Sequence, residues 1–101
     1  MTARVVNIRS GESYDLYIGR QNPRYGLKRS KWANPFKIGQ DGTREECLEK
    51  YRHHILSSPD LLAALPELDG MVLACWCAPE ACHGDVLIEL LNEVQNATDA
   101  G

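Results

Sequence analysis

Three cysteines and a histidine crowd into nine residues of this chain, Cys75-Trp76-Cys77-Ala78-Pro79-Glu80-Ala81-Cys82-His83, followed by Gly84 and Asp85. Thiolates and an imidazole are ligands that zinc takes in tetrahedral sites, so Cys75, Cys77, Cys82 and His83 form a candidate three-cysteine, one-histidine metal set. On a strand, Cys75 and Cys77 would share one face about 6–7 Å apart, with Trp76 facing the other way. A turn at Pro79 could then bring Cys82 and His83 back over the pair. Adjacency works against this arrangement, because consecutive helical residues diverge by about 100°.

The same residues admit a reactive thiol. Cys82 stands near the start of the last expected helix, where the helix dipole and His83 would favour a thiolate. His83 and Asp85 would then be candidate base and orienting group. They also admit plain packing, since a free cysteine behaves as a small apolar residue. Cys47, on the apolar stripe of an earlier helix, reads as a core thiol.

A second group of residues suits an anionic ligand. Arg20, Arg24, Lys28, Arg29, Lys31 and Lys37 occur with no acidic residue among them, and Tyr25 and Trp32 interleave with the charges. Cations that neutralise phosphate beside an aromatic face that stacks on a base are what nucleotide or single-strand binding needs. Arg20 follows Gly19 at a strand end, where α/β folds place ligand sites. Asn34-Pro35 would present a side-chain amide from a rigid turn. Arg20, Arg24, Trp32 and Asn34 are therefore the candidate phosphate- or nucleotide-binding residues. The free amides at the start of the last helix make a natural second wall.

These groups need elements to position them. Residues 3–9 read as a strand, Ser10-Gly11-Glu12-Ser13 as a turn, and residues 14–18 as a second, alternating strand, which together predict a β-hairpin. Residues 19–42 carry too much Gly and Pro for a regular element and predict a long ordered loop anchored by Trp32, Pro35, Phe36 and Ile38. Thr43-Arg44-Glu45-Glu46 is a capping box that opens a helix with Cys47, Leu48, Tyr51 and Ile55 on its apolar stripe. Ser58-Pro59 starts a short helix through Leu65, which Pro66 stops. Residues 71–77 are apolar enough for a buried central strand. A final helix carries Val86, Leu87, Leu90, Leu91 and Val94, and residues 96–101 are expected to fray.

The expected fold is thus a small single-domain α/β sandwich over residues 1–101, with its core in about 3–95. At 44% hydrophobic and 25% charged, the composition excludes a disordered chain. The net charge of −3 conceals a split. All 11 Lys and Arg lie within residues 4–52, leaving that part at +5, while residues 53–101 carry −8. An acidic half repels long polyanions, which favours a small anionic ligand over a nucleic-acid polymer. No Walker loop or dinucleotide fingerprint occurs. The first residues lack the apolar stretch of a signal peptide, so a cytoplasmic location and no membrane partner are expected.

Tyr17-Ile18-Gly19-Arg20, Trp32-Ala33-Asn34-Pro35-Phe36, Asp41-Gly42-Thr43-Arg44-Glu45-Glu46 and Cys75-Trp76-Cys77-x-Pro79-x-x-Cys82-His83-Gly84-Asp85 together resemble the family catalogued as domain of unknown function 4326. The similarity spans roughly residues 3–92. It implies a free-standing domain of phage or bacterial origin, in the host cytoplasm if phage-encoded. It groups Arg20, Asn34, Cys75, Cys77, Cys82, His83 and Asp85 as signature positions and assigns none of them a catalytic role. The expected function is binding of a phosphorylated small molecule or nucleotide by the basic loop facing the Cys/His cluster. The alternatives are a zinc-stabilised protein-interaction module and a Cys/His-dependent enzyme acting on a nucleotide or nucleic acid.

Overall fold

The computed structural model describes residues 3–77 and 80–100; the turn expected at Pro79 lies outside them. In chain order the elements are β1 (Arg4–Asn7), β2 (Leu16–Tyr17), α1 (Arg44–Leu56), α2 (Pro59–Ala64), β3 (Val72–Cys75) and α3 (His83–Ala100), with short 3-10 turns at Ile8–Ser10, Pro23–Tyr25 and Leu65–Leu68. This is an α/β fold.

Its sheet is not built on a hairpin. The order is β1-β3-β2, and both outer strands run parallel to β3, pairing Val5 with Leu73 on one side and Leu16 with Leu73 on the other. The reason lies in β3 itself. Leu73, Ala74 and Cys75 are all buried, and a strand that apolar belongs in the middle of a parallel sheet. A β1–β2 hairpin would push it to an edge.

Residues 8–15 make the connection possible. Asn7 Oδ1 accepts from the Arg9 N–H at 2.8 Å, and Gly11, at φ +80°, releases the chain from the 3-10 turn. Asp15 then fixes the register of β2. Its backbone N–H donates to the Val72 carbonyl and its Oδ2 accepts from the Val72 N–H, both at 2.8 Å. Of the alternating residues, Ile18 is buried, Leu16 half-buried and Tyr14 exposed.

The capping box forms as expected. Thr43 Oγ1 accepts from the Glu46 N–H at 3.2 Å and Glu46 Oε1 from the Thr43 N–H at 3.0 Å. Cys47, Tyr51 and Ile55 bury one face of α1, so Cys47 is a core thiol. Ser58 caps α2 ahead of Pro59. Pro66 ends the α-helix but not the helical path, which tightens into the 3-10 turn at Leu65–Leu68. Helix α3 packs on α1 and β1 through Leu87, Leu90 and Leu91. Its backbone is helical from His83 through Ala100.

The segment 19–42 is an ordered loop held by the Asn22–Leu27 bridge and by the Ser30 N–H on the Gly19 carbonyl at 3.0 Å. Of its expected anchors, Trp32 is buried and Phe36 half-buried, while Pro35 and Ile38 face solvent. No helix among the described residues is long and apolar enough to cross a membrane.

The first turn of α3 presses hard on the sheet. A Cβ built on Gly84 would stand 2.8 Å from Val5 Cγ2 and 2.9 Å from Ile18 Cδ1, which real packing does not allow. Gly84→Ala should therefore lower stability in urea unfolding by about 1–3 kcal/mol. A helical Gly→Ala change without that crowding would raise it by up to about 1 kcal/mol, so a stabilised variant would contradict the close approach.

Candidate functional site

Strands β2 and β3 end at the same level, and the first turn of α3 starts there. Between these ends and the start of α1 opens a cleft of about 540 Å³, within the usual range for small-ligand sites. It lies at the carboxyl ends of parallel strands, where this kind of fold places ligands. Arg20, Lys37 and Arg44 line it, together with Tyr17, Phe36 and Trp76. Amides come from Gln21, Asn22 and Asn34, sulfurs from Cys47, Cys75, Cys77 and Cys82, and no carboxylate is among the lining residues.

The walls are held by a chain of hydrogen bonds. Tyr17 Oη accepts from Trp76 Nε1 at 2.8 Å and donates to the Arg20 carbonyl at 2.7 Å. Glycine at position 19 is what lets the Tyr17 ring fold back, because any side chain there would collide with it. Arg20 sends Nε to the Asn34 carbonyl at 2.9 Å and Nη2 to the Phe36 carbonyl at 2.8 Å. Asn34 Oδ1 accepts from the Phe36 N–H at 2.9 Å and closes the turn around Pro35. Arg20 and Asn34 thus shape the loop as well as line the cleft. Across the opening, Arg44 binds the Ala81 carbonyl and Glu80 Oε2, each at 2.8 Å. Hydrogen bonding to Cys77, with support from Glu80, holds its guanidinium firmly charged.

The expected Cys/His cluster divides in two. Cys75 and Cys82 converge, with their sulfurs 3.4 Å apart and both buried. Cys77 lies beyond the strand end, half-buried against Arg44. His83 turns the other way, as the helical divergence requires, and its Nε2 meets the Ile18 carbonyl at 2.6 Å. No group of three or more His, Cys, Asp or Glu among the described residues is placed to hold a metal. The four proposed zinc ligands therefore do not fit a tetrahedral site.

Cys82 is instead the N-cap of α3. Asp85 Oδ2 accepts the Cys82 N–H at 3.0 Å, the Asp85 N–H donates to the Cys82 carbonyl at 3.0 Å, and the nearby Gly84 and Asp85 amides favour ionisation of the Cys82 sulfur. The Asp85 carboxylate thus makes the reciprocal half of a capping box, with a thiol in the serine position. The Cys75 sulfur first, then burial, push the Cys82 thiol far up, against the pull of those two amides. A buried thiol that keeps its proton is the opposite of an activated nucleophile. The same capping occupies amides that the sequence offered as an anion-binding wall.

Two of the four candidate nucleotide-binding residues fall elsewhere. Trp32 is 1% exposed, and its carbonyl accepts from the Tyr51 hydroxyl at 2.6 Å; it belongs to the core and offers no face to a base. Arg24 sits on the exposed 3-10 turn at Pro23–Tyr25, outside the cleft. Sequence reasoning missed Trp76, Tyr17, Phe36 and Arg44 as lining residues. Trp76 packs against Tyr25, ring centroids 5.2 Å apart, and under the Arg9 guanidinium at 5.3 Å. The aromatic-plus-cation pattern was visible in the sequence, but its partners are far apart in the chain.

Comparison with known proteins supports one assignment. The profile described as domain of unknown function (DUF4326) matches residues 5–93. The chain belongs to the DUF4326 family. An uncharacterised protein of Acanthamoeba polyphaga mimivirus is 42% identical over 94 residues, covering 83% of this chain and 72% of that protein. An uncharacterised 12.4 kDa protein in the nrdA-td intergenic region of Enterobacteria phage T4 is 35% identical over 68 residues, covering 62% of this chain. Only 61% of the phage protein's own length is matched. No solved structure matches the chain. In this DUF4326 domain the signature positions have structural tasks that can be named. Arg20 and Asn34 set the loop, Cys75 and Cys82 pair, and His83 and Asp85 dock the first turn of α3.

His83 gives that docking a pH signature. Burial holds its imidazole below the ordinary histidine value, against the Ile18 carbonyl, with Arg20 adding to the depression and Asp85 opposing it. The folded chain therefore keeps His83 neutral, while the unfolded chain takes up a proton below about pH 6.5. Stability should fall as pH drops from 7 to 5.5, with a slope from this group of at most about 1.4 kcal/mol per pH unit. Urea midpoints measured across that window should show a shallower slope in His83→Gln than in the parent. Equal slopes would contradict the buried neutral imidazole.

Proposed function

We propose that the cleft binds a phosphorylated small molecule, a nucleotide being the form that best suits its lining. The observation that supports this reading is the lining itself: three cations, three aromatic rings and several amides, with no carboxylate. A lining of cations and amides without a carboxylate selects an anion, and phosphate is the anion that several separate cations and amides meet best. An aromatic wall beside them suits a base. In this arrangement Lys37 and Arg44 take the phosphates from opposite sides of the opening. Trp76 offers its ring edge and face to the base. Asn34, whose Oδ1 is used in its own turn, has its Nδ2 amide for a polar contact.

The charge split of the chain favours a small ligand over a polymer. Three cations of the basic half are matched by the acidic half within the fold, through Lys31–Glu67 at 3.2 Å, Arg44–Glu80 at 2.8 Å and the pairs of Arg52 with Glu89 and Glu93 at 3.3 and 2.7 Å. Of these cations Arg44 also lines the cleft, with Glu80 at its rim, and no carboxylate is among the lining residues themselves. An enzyme reading that uses Cys82 and His83 has less to stand on, because Cys82 is protonated and buried and His83 is bound to a backbone carbonyl.

Calorimetric titration with nucleoside mono-, di- and triphosphates tests the reading. Lys37→Ala should weaken the tightest of them roughly 3- to 10-fold, the loss of about one charge-assisted contact. Arg24→Ala, outside the cleft, should leave its dissociation constant unchanged. The reverse pattern, or binding of oligonucleotide with loss at Arg24, Lys28 and Arg29, would move the site to the outer face of the loop and support a nucleic-acid interface. No binding by any of these ligands would remove the reading.

A further inference from the structure

The fold brings the sulfurs of Cys75 and Cys82 to 3.4 Å. One ends β3 and the other caps α3, and both line the cleft although little of either is exposed. Helix capping accounts for Cys82, since a hydroxyl would serve as well there. It does not account for a second sulfur placed against the first. A disulfide needs its sulfurs roughly 2.05 Å apart, so closing the bond takes a movement of about 1.4 Å, within what side-chain and strand-end adjustment supplies. Both residues line the cleft, so a small oxidant has a short path to them once the strand end shifts. Cys47, buried in α1 with its thiol toward the Gly42 carbonyl at 3.7 Å, has no such neighbour, and Cys77 faces Arg44.

We propose that Cys75 and Cys82 are a redox pair, converted by a hydroperoxide into a reversible disulfide that alters the cleft. The Cys75 sulfur attacks the terminal peroxide oxygen, since the Cys82 thiol is the one that holds its proton while Cys75 stands against it. The O–O bond breaks, the alcohol (water, from hydrogen peroxide) departs with the thiol proton, and a sulfenic acid remains. The second sulfur attacks that sulfur, the S–O bond breaks, and the second thiol proton leaves in water. The two sulfurs lose two electrons and the peroxide gains them. A dithiol reductant reverses the step by exchange. The bond ties the end of β3 to the start of α3, and the lining residues Trp76, Cys77 and Ala81 lie between its two ends in sequence. Disulfide formation stands on the sulfur geometry alone; its effect on ligand binding rests on the cleft reading above.

The test uses the full chain carrying Cys77→Ser, reduced and then treated with one equivalent of hydrogen peroxide. No Lys or Arg follows Arg52, so trypsin leaves Cys75 and Cys82 on one peptide, and cleavage after Glu80 separates them unless they are bonded. The expected result is a 75–82 cross-link with a loss of about 2 Da, reversed by dithiothreitol and absent from Cys82→Ser. Native-mass spectra showing a cross-link through Cys47, or a gain of about 32 Da from over-oxidation without a cross-link, would overturn the proposal. ADP titration of the reduced and oxidised forms then reads the regulatory part. A change in affinity of threefold or more supports it, and equal affinities remove it. If the disulfide forms but the reduced chain binds neither ADP nor any other nucleotide, the cleft reading fails while the redox pair stands.

Discussion

The seating of the first turn of α3 against the carboxyl ends of the strands is the constraint on which the rest depends. Four consecutive residues make it. Cys82 caps the helix, His83 bonds the Ile18 carbonyl, Gly84 admits Val5 and Ile18 into van der Waals contact, and Asp85 closes the cap on the Cys82 N–H. Each needs a different chemical property, so few other tetrapeptides could do the same. A side chain on Gly84 would lift the helix from the sheet, and with it the wall of the cleft that Cys82 and His83 provide. The Cys-His-Gly-Asp run, which looks like catalytic or metal-binding chemistry, works first as a joint between helix and sheet.

With that joint made, the charge asymmetry acquires a location. The two halves of opposite charge meet along α1 and α3, where Arg52 reaches Glu89 and Glu93. Exposed pairs of this kind contribute roughly 0.2–1 kcal/mol each, enough to favour the docking but not to explain it; the buried faces of α1 and α3 do that. Of the cations that line the cleft, Arg44 is paired with Glu80, while Arg20 is bound to the Asn34 and Phe36 carbonyls and Lys37 lines the opposite side.

Local signals in the sequence carried well. The capping box at Thr43 and Glu46, the Ser58-Pro59 helix start and the apolar stripes of α1 and α3 follow from interactions within one or two turns, and all are present. Arg20 and Asn34 were legible for a similar reason, since a strand end and an Asn-Pro turn are local features. Long-range choices were not. Whether residues 3–9 and 14–18 pair with each other or with residues 72–75 depends on which strand must be central, and Asp15, which settles the register through Val72, carries no signal of its own. Trp32 and Trp76 exchanged roles for the same reason. Charged neighbours made Trp32 look like a stacking residue, yet the core took it, while Trp76, set in the most apolar stretch, emerges at the strand end into the cleft. Sequence spacing also suggested that Cys75, Cys77 and Cys82 form one cluster. The strand ends at Cys75, so its alternation never reaches Cys77.

On the proposed function, the joint at α3 is scaffold and the cation-lined cleft beside it is the binding surface. Backbone and indole chemical shifts recorded by NMR during titration with ADP test it most directly. The predicted result is that the largest shifts fall on Gly19, Arg20, Lys37, Arg44 and the Trp76 indole N–H, with the amides of Arg24, Lys28 and Arg29 unmoved. Shifts confined to that outer face of the loop, or none at saturating ADP and pyrophosphate, would contradict it.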